Sequence, residues 1–214
     1  MKRRWLIPIL AIGAAVLVLG GCVDIVQYVS GTSREISVFT RITLQKSIFE
    51  MGAAFGGEEQ DIDEMLESEF SLDEAAVLKG MPPDMTAAFS PVNTEYEYGF
   101  ELRYSADRAR FAEIPDDEGM FVPRIDPRGM WIPLSDGAAE GGEIDPTGAA
   151  FLGSSKYRLM ISKRLVSRIS SAYLETAEGV HDITVSDLPD IWLLEFPVSL
   201  WFSSRSAPVV RVSF

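Results

Sequence analysis

Residues 94–105 read Thr-Glu-Tyr-Glu-Tyr-Gly-Phe-Glu-Leu-Arg-Tyr-Ser, and their alternation decides the fold class. Tyr96, Tyr98, Phe100, Leu102 and Tyr104 fall on one side of an extended chain; Glu95, Glu97, Gly99, Glu101 and Arg103 fall on the other. Successive side chains of a strand point to opposite faces, so a period of two predicts a strand with one buried and one solvated face. Sheets of that kind are antiparallel, because parallel sheets are covered on both sides.

Upstream, the same period sets Ile36, Val38, Thr40, Ile42 and Leu44 against Glu35, Ser37, Arg41 and Thr43, with Phe39 breaking the polar side. Residues 45–55 change to helical spacing, with Ile48, Phe49, Gly52 and Phe55 on one face and Gly56-Gly57 as the stop. Residues 58–69 place seven acids among twelve residues, yet Ile62, Met65, Leu66 and Phe70 keep a helical stripe, which predicts an acidic amphipathic helix. Ser71-Leu72-Asp73-Glu74 has the form of a capping box opening a short helix to Lys79.

Downstream, Gly119-Met120-Phe121-Val122-Pro123 recurs ten residues later as Gly129-Met130-Trp131-Ile132-Pro133, with turn chemistry in Asp126-Pro127-Arg128-Gly129. The prolines put both runs at an edge or a bulge. Residues 135–155 are Gly, Ala, Ser and acids without periodicity, which predicts a flexible loop. Tyr157, Leu159 and Ile161 then predict a strand, and Ser162 the cap of a helix carrying Leu165, Val166, Ile169, Ala172 and Tyr173. Residues 42–49 and 159–166 align without a gap as two strand-to-helix passages, from an internal duplication or by coincidence. Residues 180–186 form a short strand. Trp192, Leu194, Phe196, Val198, Leu200 and Phe202 share one face of a long strand marked by Pro197, and Val210, Val212 and Phe214 close the chain. The terminal phenylalanine resembles the signal of outer-membrane barrels, but the amphipathic helices that interrupt the chain argue against one.

These readings give an α+β fold: a curved antiparallel sheet of six to eight strands, with two or three amphipathic helices packed on its apolar face. A single domain is expected over residues 33–214.

The first residues are of another kind. Lys2, Arg3 and Arg4 precede an apolar run from Trp5 to Leu19, which has the length of a signal-peptide core rather than of a bilayer span. Leu19-Gly20-Gly21-Cys22 closes it and resembles the lipobox of bacterial lipoproteins. The resemblance implies a signal peptide over residues 1–21, cleavage between Gly21 and Cys22, and a lipid on the Cys22 sulfur. Residues 22–32 then read as a lipidated tether. Two or three acyl chains, palmitate among them, hold a protein lastingly to a membrane. The implied address is the cell envelope. In a Gram-negative source it is the periplasmic face of the outer membrane, since Val23 and not an aspartate follows the cysteine.

Cleavage also removes three bases, taking the net charge from −13 to −16. So acidic a surface excludes nucleic acid as a partner. Cys22 is the only cysteine, so no disulfide forms within the chain. There is no Gly-x-Ser-x-Gly, no Ser-x-x-Lys and no His-Glu-x-x-His. His181 is the only histidine and sits beside Ile183 and Val185, where a structural role is expected. Asp61 to Leu66 fails the calcium-loop pattern, with Met65 and Leu66 at its fifth and sixth positions. No catalytic residue, metal or cofactor is assigned.

Lys156, Arg158, Lys163, Arg164 and Arg168 concentrate positive charge, which invites a contact with the acids of residues 58–69. The leading functional expectation is a lipid-anchored envelope protein with a non-enzymatic binding or assembly role, its partners the membrane and envelope proteins or lipid. The alternative is a carrier of lipid or another apolar ligand in a groove between sheet and helices, walled by Tyr96, Phe100, Tyr104, Trp192, Phe196 and Phe202. An envelope enzyme using hidden paired carboxylates is the third.

Overall fold

The computed structural model describes residues 23–50, 61–69, 74–79, 81–82, 84–115, 121–134 and 152–214. Among them are twelve strands in two sheets and four helices, so the protein is mixed α/β and mostly sheet. The strands are β1 Val23–Gly31, β2 Glu35–Gln45, β3 Thr86–Asn93, β4 Glu97–Asp107, β5 Arg124–Ile125, β6 Gly129–Pro133, β7 Lys156–Ser162, β8 Ser171–Thr176, β9 Gly179–Asp182, β10 Thr184–Asp187, β11 Ile191–Pro197 and β12 Val209–Ser213. The helices are α1 Ile62–Glu69, α2 Glu74–Lys79, α3 Arg108–Ala112 and α4 Val198–Phe202. Residues 46–50 are also helical.

Seven strands form the larger sheet in the order β10-β11-β7-β1-β2-β4-β3, and five form the smaller in the order β5-β6-β12-β8-β9. Neither closes on itself. Register builds the inner face of the larger sheet in continuous rows. Phe196, Tyr157, Ile25, Ile42 and Phe100 make one, Leu194, Leu159, Gln27, Thr40 and Leu102 the next, and Trp192, Ile161, Val29, Val38 and Tyr104 the third. Met130, Ile132, Ala172, Leu174, Val210 and Val212 from the smaller sheet join them in one core.

This architecture corrects several expectations. The core over the apolar face is shared with a second sheet as well as with Phe111 of α3 and Val198 and Trp201 of α4, and the strands and helices outnumber the six to eight and two or three expected. The larger sheet is not wholly antiparallel, since β1 and β7 run parallel. Most of the stretch expected as a tether is β1, near the middle of that sheet, so residues 23–31 belong to the folded unit expected from residue 33. Ile25, Gln27 and Val29 point inward at period two; polar Gln27 on the inner side and apolar Val26 and Tyr28 on the outer side blur the pattern.

The helix expected after Ser162 is a turn, in which the Ser162 carbonyl accepts from the amides of Leu165 and Val166 at 2.9 and 3.1 Å. Ala172 and Leu174 then enter the core two apart, as a strand requires. The supposed duplication therefore shares strands and not helices. The long strand expected through Phe202 ends at Pro197. Its extended backbone (φ −65°, ψ 134°) opens α4, whose Val198 and Trp201 are buried three apart. Residues 180–186 divide at Ile183 between β9 and β10, which belong to different sheets.

Other expectations hold. The acidic stripe is α1, with the Asp61 carboxylate accepting from the amides of Asp63 and Glu64 at 3.0 and 3.3 Å. Asp126 accepts likewise from Arg128 and Gly129, turning β5 into β6. Residues 1–22, the capping-box residues 71–73 and residues 135–151 of the expected loop lie outside the described residues.

Candidate functional site

Of the six aromatic residues expected to wall an apolar groove, Tyr104 lines a surface cleft together with Val38, Phe39 and Ala87, and the other five line neither that cleft nor the polar one beside Lys46. Tyr96 is 67% exposed in the turn before β4. Phe100 is half-buried and stacks on Phe89, with centroids 5.5 Å apart, and buried Phe196 stacks on Tyr157 at 4.9 Å. Trp192 donates its indole N–H to the Val166 carbonyl at 3.0 Å, with the Lys163 ammonium 4.6 Å from its ring. Phe202 lies on α4 against Trp201. Tyr104 is buried at the centre of a polar cluster. Tyr104 and Phe196 are buried, Phe100, Trp192 and Phe202 pack half-buried against the core, and Tyr96 is exposed, while residues of the smaller sheet share the core with the sheet face that motivated a carrier.

The polar cluster is the least expected feature of that core. The Gln27 amide donates to the Thr40 hydroxyl at 3.1 Å and to the Phe121 carbonyl at 2.6 Å, and its oxygen accepts from the Tyr157 hydroxyl at 2.6 Å. Tyr104 donates to the same Phe121 carbonyl at 2.8 Å. Phe121 holds that carbonyl in place with a positive φ of 63°, uncommon for a bulky residue, while its own amide bonds the Pro133 carbonyl at 3.1 Å. Burial pushes both phenols above the usual tyrosine range, so they stay protonated and donate. Every bond runs between β-sheet and loop or between neighbouring strands, and the cluster is a structural clasp.

The outer face of the larger sheet is chemically different. Arg158 pairs with Asp24 and with Glu195, Arg41 with Glu97 at 2.7 Å, and Arg103 with Glu101 at 3.3 Å. The contact expected between the basic cluster and the acids of α1 is absent among the described residues. The cross-strand neighbour Glu195 takes Lys156 and Arg158, Asp187 at the end of β10 takes Lys163, and Asp63 of α1 meets Lys46. His181 faces the Thr176 hydroxyl at 3.4 Å on β9.

Two clefts open on the surface. One, about 570 Å³, is polar: the Lys46 ammonium, buried and bonded to Asn93 at 2.6 Å and to Asp63, is flanked by Glu50, Asp61 and Glu95. The other, about 500 Å³, lies on the outer face where β1, β2, β4 and β3 end away from Val23. Two outward-facing cross-strand rows floor it, with Val38, Tyr104 and Ala87 of the row between them. Tyr28, Phe39, Arg103 and Ala88 make one; Ser30, Ser37, Ser105 and Thr86 make the other. The Arg103 guanidinium sits 5.1 Å from the centroid of the Phe39 ring.

The fold thus defines a mostly-sheet α/β protein, two open sheets over one core, with its accessible chemistry on the outer face of the larger one. No protein-family model matches the chain, and neither the curated proteins nor the solved structures searched contain a match. Among the described residues no helix is long and apolar enough to cross a membrane.

Proposed function

We propose that the chain is a lipid-anchored protein of the cell envelope with a non-enzymatic binding or assembly role. One observation carries the reading: β1 begins at Val23, one residue after the cysteine that the lipobox-like Leu19-Gly20-Gly21-Cys22 makes the acylated N-terminus. A lipid there is joined to the end of a central strand with almost no slack. The Val23 amide is already held by the Ser155 hydroxyl at 3.0 Å, and the Ser155 carbonyl by the amide of Val198. Such an anchor orients the sheet end-on, with the starts of β1 and β7 and the ends of β2 and β11 toward the bilayer and the turn between β1 and β2 away from it.

Labelled palmitate supplied to expressing cells tests this. Label is expected in the full chain and in its N-terminal peptide, and none in Cys22→Ala, which should leave the membrane fraction. Label in Cys22→Ala, or its absence from the parent, would overturn the proposal.

A further inference from the structure

We infer that the cleft at the far end of the larger sheet binds a neutral saccharide, with its C–H face on the Tyr28–Phe39 row and its hydroxyls on the Ser/Thr row. The inference names the ligand of the binding role proposed above and rests on that reading for location only.

Its starting point is the pairing of rows. Four consecutive strands contribute Ser30, Ser37, Ser105 and Thr86, all hydroxyls, in one register. Two residues nearer the anchor, the same strands contribute Tyr28, Phe39, Arg103 and Ala88. Three strand spacings make each row about 14 Å long, which suits a short oligosaccharide better than one ring. Ala88, at the edge strand, is the small residue that leaves the hollow open beside Arg103.

The hydroxyls are available. Ser30 makes only a long bond to the Ser37 carbonyl, 3.4 Å, and the hydroxyls of Ser37, Ser105 and Thr86 have no hydrogen-bond partner among the described residues. Each can donate once and accept twice, as can the hydroxyls of a sugar. The aromatic row supplies the complement: pyranose rings carry an apolar face of C–H groups as well as a polar rim.

Charge and polarity favour a neutral sugar over its rivals. Arg103 is tied to Glu101, whose carboxylate beside the cleft disfavours a phosphate or carboxylate ligand, and the chain as a whole carries −13. A hydrocarbon chain would desolvate the hydroxyl row without pairing it, which is costly. The volume, about 500 Å³, lies within the range of small-molecule sites. Position agrees as well: Ser30 lies seven strand residues from Val23, about 23 Å from the anchor, where polymer of the envelope rather than the bilayer is within reach.

The test is calorimetry on the full chain in micelles of a sugar-free detergent, titrated with maltotriose and, separately, with tri-N-acetylchitotriose. At least one is expected to bind with one site. Tyr28→Ala should weaken it about tenfold, and Ser105→Val, which removes a hydroxyl but suits a strand, about fivefold with an unchanged melting curve. Neither sugar binding at about 10 mM overturns the inference, since that would put any Kd beyond the weakest useful range. So does binding that both variants leave unaltered. Palmitate labelling reads the anchor separately: label without sugar binding sinks this inference alone, and sugar binding without label sinks the anchor alone.

Discussion

Gln27 is the residue on which the middle of the larger sheet closes. It is fully buried, it lies between Leu159 and Thr40 in the inner row, and all three of its described bonds are made inside the core. Leucine would match its size but leave the Tyr157 hydroxyl and one acceptor of the Phe121 carbonyl without their partner. Stranding buried polar groups costs about 1–3 kcal/mol, so Gln27→Leu is expected to destabilise by about 2 kcal/mol despite its greater hydrophobicity. Tyr157→Phe, which strands only the Gln27 oxygen, should cost about half that. Urea melts of the two variants decide the point, and a Gln27→Leu protein as stable as the parent would remove the clasp from the account. Nothing in the sequence singles Gln27 out: a lone glutamine between Ile25 and Val29 looks like an interruption, and its partners lie 13 to 130 residues away.

At the scale of single elements, β4 shows what an alternation reveals and what it hides. The pattern of residues 94–105 gives the strand and its inner face, in an antiparallel ladder on both sides; Thr94, Glu95 and Tyr96 fall before it, in the turn. Gly99 looks like a weak point in that pattern but is a requirement of it. A methyl group there would collide with the Ile42 carbonyl oxygen and stand 2.8 Å from the Thr43 Cα, both backbone atoms of β2. Gly99→Ala must therefore push β2 and β4 apart, at an expected cost of about 1–3 kcal/mol. Arg103→Ala, exposed on the same strand, should stay within about 0.5 kcal/mol. Thermal melts that rank the two the other way would mean the strands are not this close. Elsewhere local period misleads for a physical reason. In residues 162–173 the spacing of Leu165, Val166, Ile169 and Ala172 satisfies a helix, but two of those residues serve a turn and the last a strand, because the core selects by contact and not by sequence interval.

On the scale of the whole molecule, an apolar strand face says that something covers it and not what. Helices and a second sheet satisfy the same inner residues, so the alternation that made the strands legible left the two-sheet arrangement open. Membership of a sheet was equally hidden, since β9 and β10 are one residue apart and pair with β8 and β11 respectively. The largest consequence concerns residues 23–31. As a tether they would be dispensable; as β1 they pair with β2 along nine residues and with β7 along six, and they bury Ile25 and Val29. Without them the seven-stranded sheet falls into β10-β11-β7 and β2-β4-β3, with Tyr157, Leu159, Ile36 and Val38 along the break. Each buried aliphatic side chain contributes about 1.5–3 kcal/mol, and the two ladders add to that, while a domain has only about 5–15 kcal/mol to lose. A chain beginning at Val23 is therefore expected to melt in one cooperative transition by circular dichroism. A chain beginning at Ser33 should show no such transition and should bind a hydrophobic dye. A cooperative melt from the shorter chain would return residues 23–31 to the role of a leash and take with it the end-on orientation that the anchor is argued to impose.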